Sequence, residues 1–198
     1  MQIRVDSNVK KFSKKLGIFQ KDLMKSATPR AINKTLQKLQ GHQLLLTKKF
    51  LDRPTRQTQK GFFIKFASAR QPVGSLNMKD FVNEYLQYQV KGGFRYSDKK
   101  NPVPIEGNAK LNQFGNITGK RRGLIKNKKQ FIAEIKGINA VWERVGNKGV
   151  KPIILLTQNY AKYEKKYPFF TASEKFVLKN FDKQLKVAFA RAKRKVGL

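Results

Sequence analysis

Between Phe131 and Val145 two runs of side chains alternate with a period of two, and this pattern most narrows what the chain can fold into. Phe131, Ala133 and Ile135 alternate with Ile132, Glu134 and Lys136, and after Gly137 the run Ala140 to Val145 alternates again. A period of two places successive side chains on opposite faces of a strand. Gly146-Asn147-Lys148-Gly149 then supplies residues that tolerate positive φ, and Pro152 to Leu156 is a short apolar run. The simplest arrangement is a three-stranded antiparallel meander. Trp142 is the sole tryptophan, so the face it occupies is expected to be the one covered by helices.

Upstream, Ile3 and Val5 suggest a short strand, and Ser7 an N-cap for a helix whose Val9, Phe12, Leu16, Phe19 and Leu23 recur at three and four residues. Thr28-Pro29 reads as a cap with proline at the first helical position, starting a second helix of about twenty residues that ends near Phe50. Its buried stripe is read as Ala31, Ile32, Thr35, Leu36, Leu39, Leu45 and Leu46. His42 lies off the centre of that stripe and reads as a packing or surface residue rather than a ligand or base. Arg53-Pro54-Thr55 breaks the helix, Gly61 to Ala67 reads as a strand, and Phe81, Tyr85, Leu86 and Val90 mark a short helix stopped at Gly92-Gly93.

From Phe94 to Lys129 the composition changes to glycine-bearing turns, Pro102, Pro104 and a dense run of bases. We read residues 94–129 as a protruding basic loop that meets a neighbouring subunit or nucleic acid, the alternative being a mobile solvated loop. Tyr160, Tyr163 and Tyr167 recur at helical spacing beside Lys162, Lys165 and Lys166, which suggests one edge of a short helix docked on the core, or aromatics that stack on nucleobases. Thr171 and Glu174 form a capping box that opens a final helix with the apolar row Leu178, Phe181, Leu185, Ala188 and Ala192. The expectation is a single α+β domain over residues 1–198: a mostly antiparallel sheet, two N-terminal helices, a long basic loop and a packed C-terminal helix.

Charge narrows the partners. Forty-four Lys and Arg stand against twelve Asp and Glu, a formal charge of +32. Cut at residues 54, 100 and 150, the chain carries +10, +6, +7 and +9. The whole body is therefore basic rather than one tethered arm, and it calls for a polyanionic environment such as packed DNA or RNA. Two groups are nominated to contact DNA or an acidic neighbour. One is Lys120, Arg121, Arg122, Lys126, Lys128 and Lys129 in the loop; the other is Lys175, Lys179, Lys183 and Lys186, which with Lys193 read as a helix side free of acid.

Catalytic constellations are weak. Without cysteine there is neither thiolate chemistry nor a cysteine-held metal. Gly115 to Lys120 is one residue short of a phosphate loop, with Arg121 where the magnesium-binding hydroxyl belongs. Glu134-Ile135-Lys136 could serve a metal-dependent nuclease only with help from Glu106, Asp98 or Glu143. We therefore expect no enzyme and no cofactor. No stretch approaches about eighteen apolar residues, so no membrane segment is expected, and a soluble intracellular product is.

Five stretches, in this order, carry a resemblance. They are Pro29-Arg30-Ala31-Ile32-Asn33-Lys34-Thr35, Leu86 through Val90-Lys91-Gly92-Gly93 to Arg95, Phe114-Gly115-Asn116-Ile117, Asn139-Ala140-Val141-Trp142-Glu143-Arg144, and Tyr163-Glu164-Lys165-Lys166-Tyr167-Pro168-Phe169. Together they resemble the minor tail protein Z family of tailed bacteriophages. The resemblance implies a structural virion protein of the tail or neck, made in the host cytoplasm, that acts in tail completion or head-tail joining. Its implied partners are other tail or neck proteins, the genomic DNA through non-specific electrostatics, and its own copies in a ring of about six. The rival from another class is a free nucleic-acid-binding protein, ribosome-associated or nucleoid-type, for which the charge is equally good evidence.

Overall fold

The computed structural model describes residues 1–5, 18–97, 100–117, 125, 127–146, 149–158 and 160–195, with the side chains of residues 5 and 18–22 excepted. The expected helix from Ser7 lies outside the described residues up to position 17. The chain divides into two compact units, Met1–Val90 with Lys166–Leu198, and Lys91–Lys165. Both α-helices and antiparallel sheets are present, so the α+β class holds.

The first unit pairs a small sheet with two long helices. Strands β1 (Gln2–Val5), β2 (Phe62–Lys65) and β3 (Gly74–Met78) form an antiparallel sheet in the order β1-β3-β2. Its register aligns Ile3, Leu76 and Ile64. The central strand β3 is buried at every residue. Helix α1 (Ile18–Phe50) packs Ile32, Leu36 and Leu39 into a core with Phe62, Leu76 and Met78, and α3 (Asp80–Lys91) adds Val82, Leu86 and Val90. Their spacings of three and four put these side chains on one helix face. Leu45 departs from the expected stripe, being 65% exposed.

Helix α1 does not begin at Pro29. It runs through Thr28-Pro29 as one helix of 33 residues. An interior proline costs roughly 3 kcal/mol, and the packing on either side of it offsets that cost. Leu23, Ala27 and Ala31 are buried against Ala188 and Ala192 of α4 (Phe169–Lys195), whose Phe181, Leu185 and Phe189 pack around them. Alanines at the contact let the two helix backbones approach closely.

Helix α4 also starts earlier than the Thr171 capping box. It opens at Phe169, behind Pro168, whose carbonyl accepts from the Ala172 amide at 3.0 Å. Leu178, expected in the buried row, is 73% exposed; Phe181 and Leu185 are half-buried, and Ala188 and Ala192 are buried.

A buried polar network ties α1 to the start of α4. Gln43, Thr47, Tyr167 and Ser173 are all fully buried. The Gln43 amide donates to the Phe169 carbonyl at 3.2 Å and to Ser173 Oγ, while Tyr167 donates to Gln43 Oε1 at 2.6 Å. Thr47 donates to the Gln43 carbonyl at 2.8 Å, and Ser173 to the Phe169 carbonyl at 2.6 Å. Burial pushes the Tyr167 phenol up to about 12, against a smaller opposing effect of its contact with Thr47.

Nearby, Asn33 both donates to and accepts from the Ala67 backbone, at 2.9 and 2.7 Å, and so fixes the chain after β2 against α1. A short helix α2 (Arg56–Gln59) precedes β2, capped by Thr55, whose Oγ1 accepts from the Thr58 amide.

The second unit contains the meander. Strands β6 (Gln130–Ile135), β7 (Ile138–Arg144) and β8 (Val150–Leu156) pair antiparallel in sequence order, with β5 (Pro102–Pro104) on the outer side of β8. The turn between β6 and β7 has φ of 51° at Lys136 and 75° at Gly137. Positive φ at both central residues is the two-residue turn whose twist matches paired strands.

A register irregularity between Val141 and Trp142 lets Val141 face Ile154 while Trp142 faces Pro152. The Trp142 indole donates to the Ala133 carbonyl of its own hairpin at 2.9 Å. The small core of this sheet is Val141, Ile153 and Ile154, and Ala109 and Ile117 pack against it. It is thus the supposed loop that supplies this cover.

Residues 94–129 are accordingly not a plain loop. Strand β4 (Gly93–Tyr96) opens the segment, β5 follows, and Asn112 closes a turn by accepting the amides of Phe114 and Asn116 next to a bridge between Leu111 and Ile117. The prolines that argued for a loop sit on an edge strand, where a missing N–H costs no ladder bond. Tyr160 and Tyr163 are likewise not helical: β9 (Tyr160–Tyr163) pairs antiparallel with β4. Tyr167 belongs to the core of the first unit.

Candidate polyanion-facing surface

Of the loop bases, Lys120, Arg121, Arg122 and Lys126 lie outside the described residues. Lys128 and Lys129 are exposed in the turn leading into β6, where the Asn127 side chain accepts the Lys129 amide at 2.9 Å and the Lys129 carbonyl accepts from Arg144 at 3.0 Å. Next to them the Arg144 guanidinium lies over the Phe131 ring, 4.9 Å from its centroid, a cation–π contact.

On the first unit, α4 carries Lys175, Lys179, Lys183 and Lys186, all exposed. Residues four, eight and eleven apart recur within about a quarter-turn of helix, so these four ammonium groups, with Lys193, form one side of α4. That side is not free of acid. Asp182 falls within it, three residues after Lys179 and four before Lys186, the spacings at which opposite charges attract along a helix. The two nominated groups therefore sit on different units, the lysines of α4 on the first and Lys128 and Lys129 on the second.

Of the carboxylates considered for metal-assisted hydrolysis, Asp98 lies outside the described residues, Glu106 follows β5, and Glu134 and Glu143 stand toward opposite ends of the β6–β7 hairpin. Glu134 faces Asn139 near the β6–β7 turn, whereas Glu143 faces Gln130 at the far end. Glu143 accepts from the Gln130 amide at 3.2 Å and pairs with Lys151 at 3.6 Å. The Gln130 hydrogen bond, then the Lys151 charge, hold its carboxyl below the usual range despite some burial. Among the described residues no three His, Asp or Glu side chains are grouped to hold a metal. His42 stacks on Phe176, ring centroids 4.6 Å apart, and burial lowers its pKa.

The reading from sequence missed one cluster. Phe94, Tyr96 and Tyr160 sit together on the β4–β9 ribbon, with ring centroids 5.8 to 6.4 Å apart. The alternation Phe94-Arg95-Tyr96 was the available signal. It was obscured because the partner strand lies some sixty residues away, and Tyr160 and Tyr163 also fit a helical spacing.

Among the described residues no helix is long and apolar enough to cross a membrane. Compared with family models, with curated proteins and with solved structures, the chain shows no match.

Proposed function

We propose that this chain is a non-enzymatic structural protein of a tailed-phage virion. In this reading it acts in tail completion or head-tail joining beside the DNA path, as a ring of about six copies. The observation that carries the proposal is the distribution of charge. The first unit has 27 Lys and Arg against seven Asp and Glu, and the second 17 against five, so each compact body is strongly basic by itself. A protein each of whose units carries a large excess of positive charge suits a position surrounded by phosphate or by acidic neighbours.

The resembling stretches add support from connectivity. Leu86 to Arg95 and Tyr163 to Phe169 contain the two points where the chain passes between units, and Asn139 to Arg144 lies on strand β7. The likeness therefore includes both crossings between the units and an inner strand of the second.

The test is gold labelling of the chain in intact particles, viewed by electron microscopy. Label at the neck or along the tail is the expected outcome. Absence from particles, with the chain recovered on ribosomes or free nucleic acid, overturns the proposal in favour of a free nucleic-acid-binding protein.

A further inference from the structure

The β4–β9 ribbon has two unlike faces. Its register opposes Phe94 to Lys162 and Tyr96 to Tyr160, so these four side chains share one face, while Arg95, Ala161 and Tyr163 take the other. Phe94, Tyr96 and Tyr160 are 47%, 72% and 38% exposed, and Lys162 is exposed beside them. Within the trio Phe94 meets Tyr160 edge-on at 69°, and Tyr96 is tilted by 33° and 48° to its neighbours. None of the three rings covers another face to face, so π-surface is left open to solvent.

We propose that this face is a binding site for single-stranded nucleic acid, with Phe94, Tyr96 and Tyr160 stacking on bases and Lys162 meeting the backbone. Open aromatic faces beside cations are what a single strand offers partners for, because every base has a π-face and every link a phosphate. Spacing separates strand from duplex. The centroids are 5.8 to 6.4 Å apart, well beyond the roughly 3.4 Å repeat per nucleotide of a duplex strand. Successive bases reach successive rings only when the strand is pulled out of its helical stack. Charge selects the same occupant: Lys162 lies on the aromatic face itself, and the unit as a whole carries 17 basic residues against five acidic. An acidic peptide would answer the charge but leave the three rings without a partner.

The site does not depend on the virion reading. It is tested on the isolated full chain, so a gold label missing from particles leaves it standing, and a failure of stacking leaves the virion reading standing. The experiment is fluorescence anisotropy with a labelled oligothymidylate of about fifteen nucleotides and a labelled duplex of equal length, over a range of salt. Tyr96→Ala should weaken strand binding about five-fold or more and the triple variant with Phe94→Ala and Tyr160→Ala further, with duplex affinity and salt slope unchanged. Lys162→Gln should instead reduce the salt slope for the strand by up to about 0.7. Ring variants that bind the strand like wild type, or that lose strand and duplex in parallel, overturn the site. So does dissociation of an oligomer by the ring variants, which would make the face a contact between copies. Should a variant fold poorly, wild-type chain photocrosslinked to a 5-iododeoxyuridine oligomer decides. Adducts at Phe94, Tyr96 or Tyr160 support the site, and adducts confined to other residues overturn it.

Discussion

Replacing Gln43 by leucine keeps the bulk at the α1–α4 junction and removes its chemistry. The amide's donations to Phe169 and Ser173 and its acceptance from Tyr167 are lost. Each such bond contributes about 1 kcal/mol net. Two losses are cushioned, because Ser173 keeps its bond to the Phe169 carbonyl at 2.6 Å and Tyr167 stays 3.2 Å from Thr47. Gln43→Leu should therefore cost roughly 2–3 kcal/mol.

Tyr167→Phe leaves Gln43 Oε1 fully buried without its donor, at about 1–3 kcal/mol. In the double variant that orphaned oxygen is gone. The combined cost should then fall short of the sum by about 1 kcal/mol or more, since contacting residues in one network couple. Urea unfolding followed by helical circular dichroism reads all three, and each kcal/mol corresponds to roughly 2–4 °C in melting temperature for a chain of this size. Costs that add to within about 0.5 kcal/mol would falsify the argument, because the network would then not act as a unit.

Other outcomes follow from single sites. A Cβ added at Gly61 would lie 2.7 Å from a Val82 methyl and 2.8 Å from the Thr58 carbonyl, so Gly61→Ala should destabilise by about 1–3 kcal/mol in the same urea assay. His42 has a pKa below its unfolded value, so the unfolded chain binds more protons there. Stability should fall as pH drops from about 6.5 toward the folded pKa, and His42→Gln should flatten that part of a melting-temperature profile. Tyr167 has the opposite sense for an acid: its folded value of about 12 favours the folded state below pH 10, and that advantage should be lost between about pH 10 and 12 in wild type but not in Tyr167→Phe. Changing Lys175, Lys179, Lys183 and Lys186 together to Gln should leave the melting temperature nearly unmoved. It should also reduce the salt slope of duplex binding by up to about 0.9 for each phosphate no longer neutralised; an unchanged slope would mean these lysines meet no DNA. If the chain assembles into rings, sedimentation should show more self-association as salt rises, since screening relieves the repulsion between basic copies.

The parts of the fold that were readable were those whose signal is local. Lys136-Gly137 between two alternating runs, Gly92 after a helical stripe and Ile32-Leu36-Leu39 each identify their structure within a few residues. What could not be read was decided by distant partners. Pro29 sits inside a helix because Ala27 and Ala31 pack on Ala188 and Ala192, more than 150 residues away. Tyr160 and Tyr163 lie in a strand because β4 is there to pair with them. Pro102 and Pro104 are strand residues because their strand is an edge. For the candidate surface, sequence identified exposed bases such as Lys129 and Lys179, whose exposure needs no partner. It missed Asp182 on the α4 side, since helical phase and not sequence adjacency sets which charges face one another. It also missed the Phe94 trio, which exists only once two strands meet.

The first unit is built from both ends of the sequence, with the second inserted between residues 90 and 166. During synthesis that order matters. Residues 91–165 leave the ribosome as one continuous piece, and the β6–β7 hairpin needs only a two-residue turn to close, an event on the order of microseconds. The stripe of Leu23, Ala27 and Ala31 on α1 meets its partners on α4 only after residues 169–195 have been translated. At about 5–20 residues per second, α1 waits roughly ten to thirty seconds with that surface uncovered. The inserted unit is thus in a position to mature first, and the nascent chain's period of greatest exposure to chaperones and to premature association is fixed by where α4 is encoded.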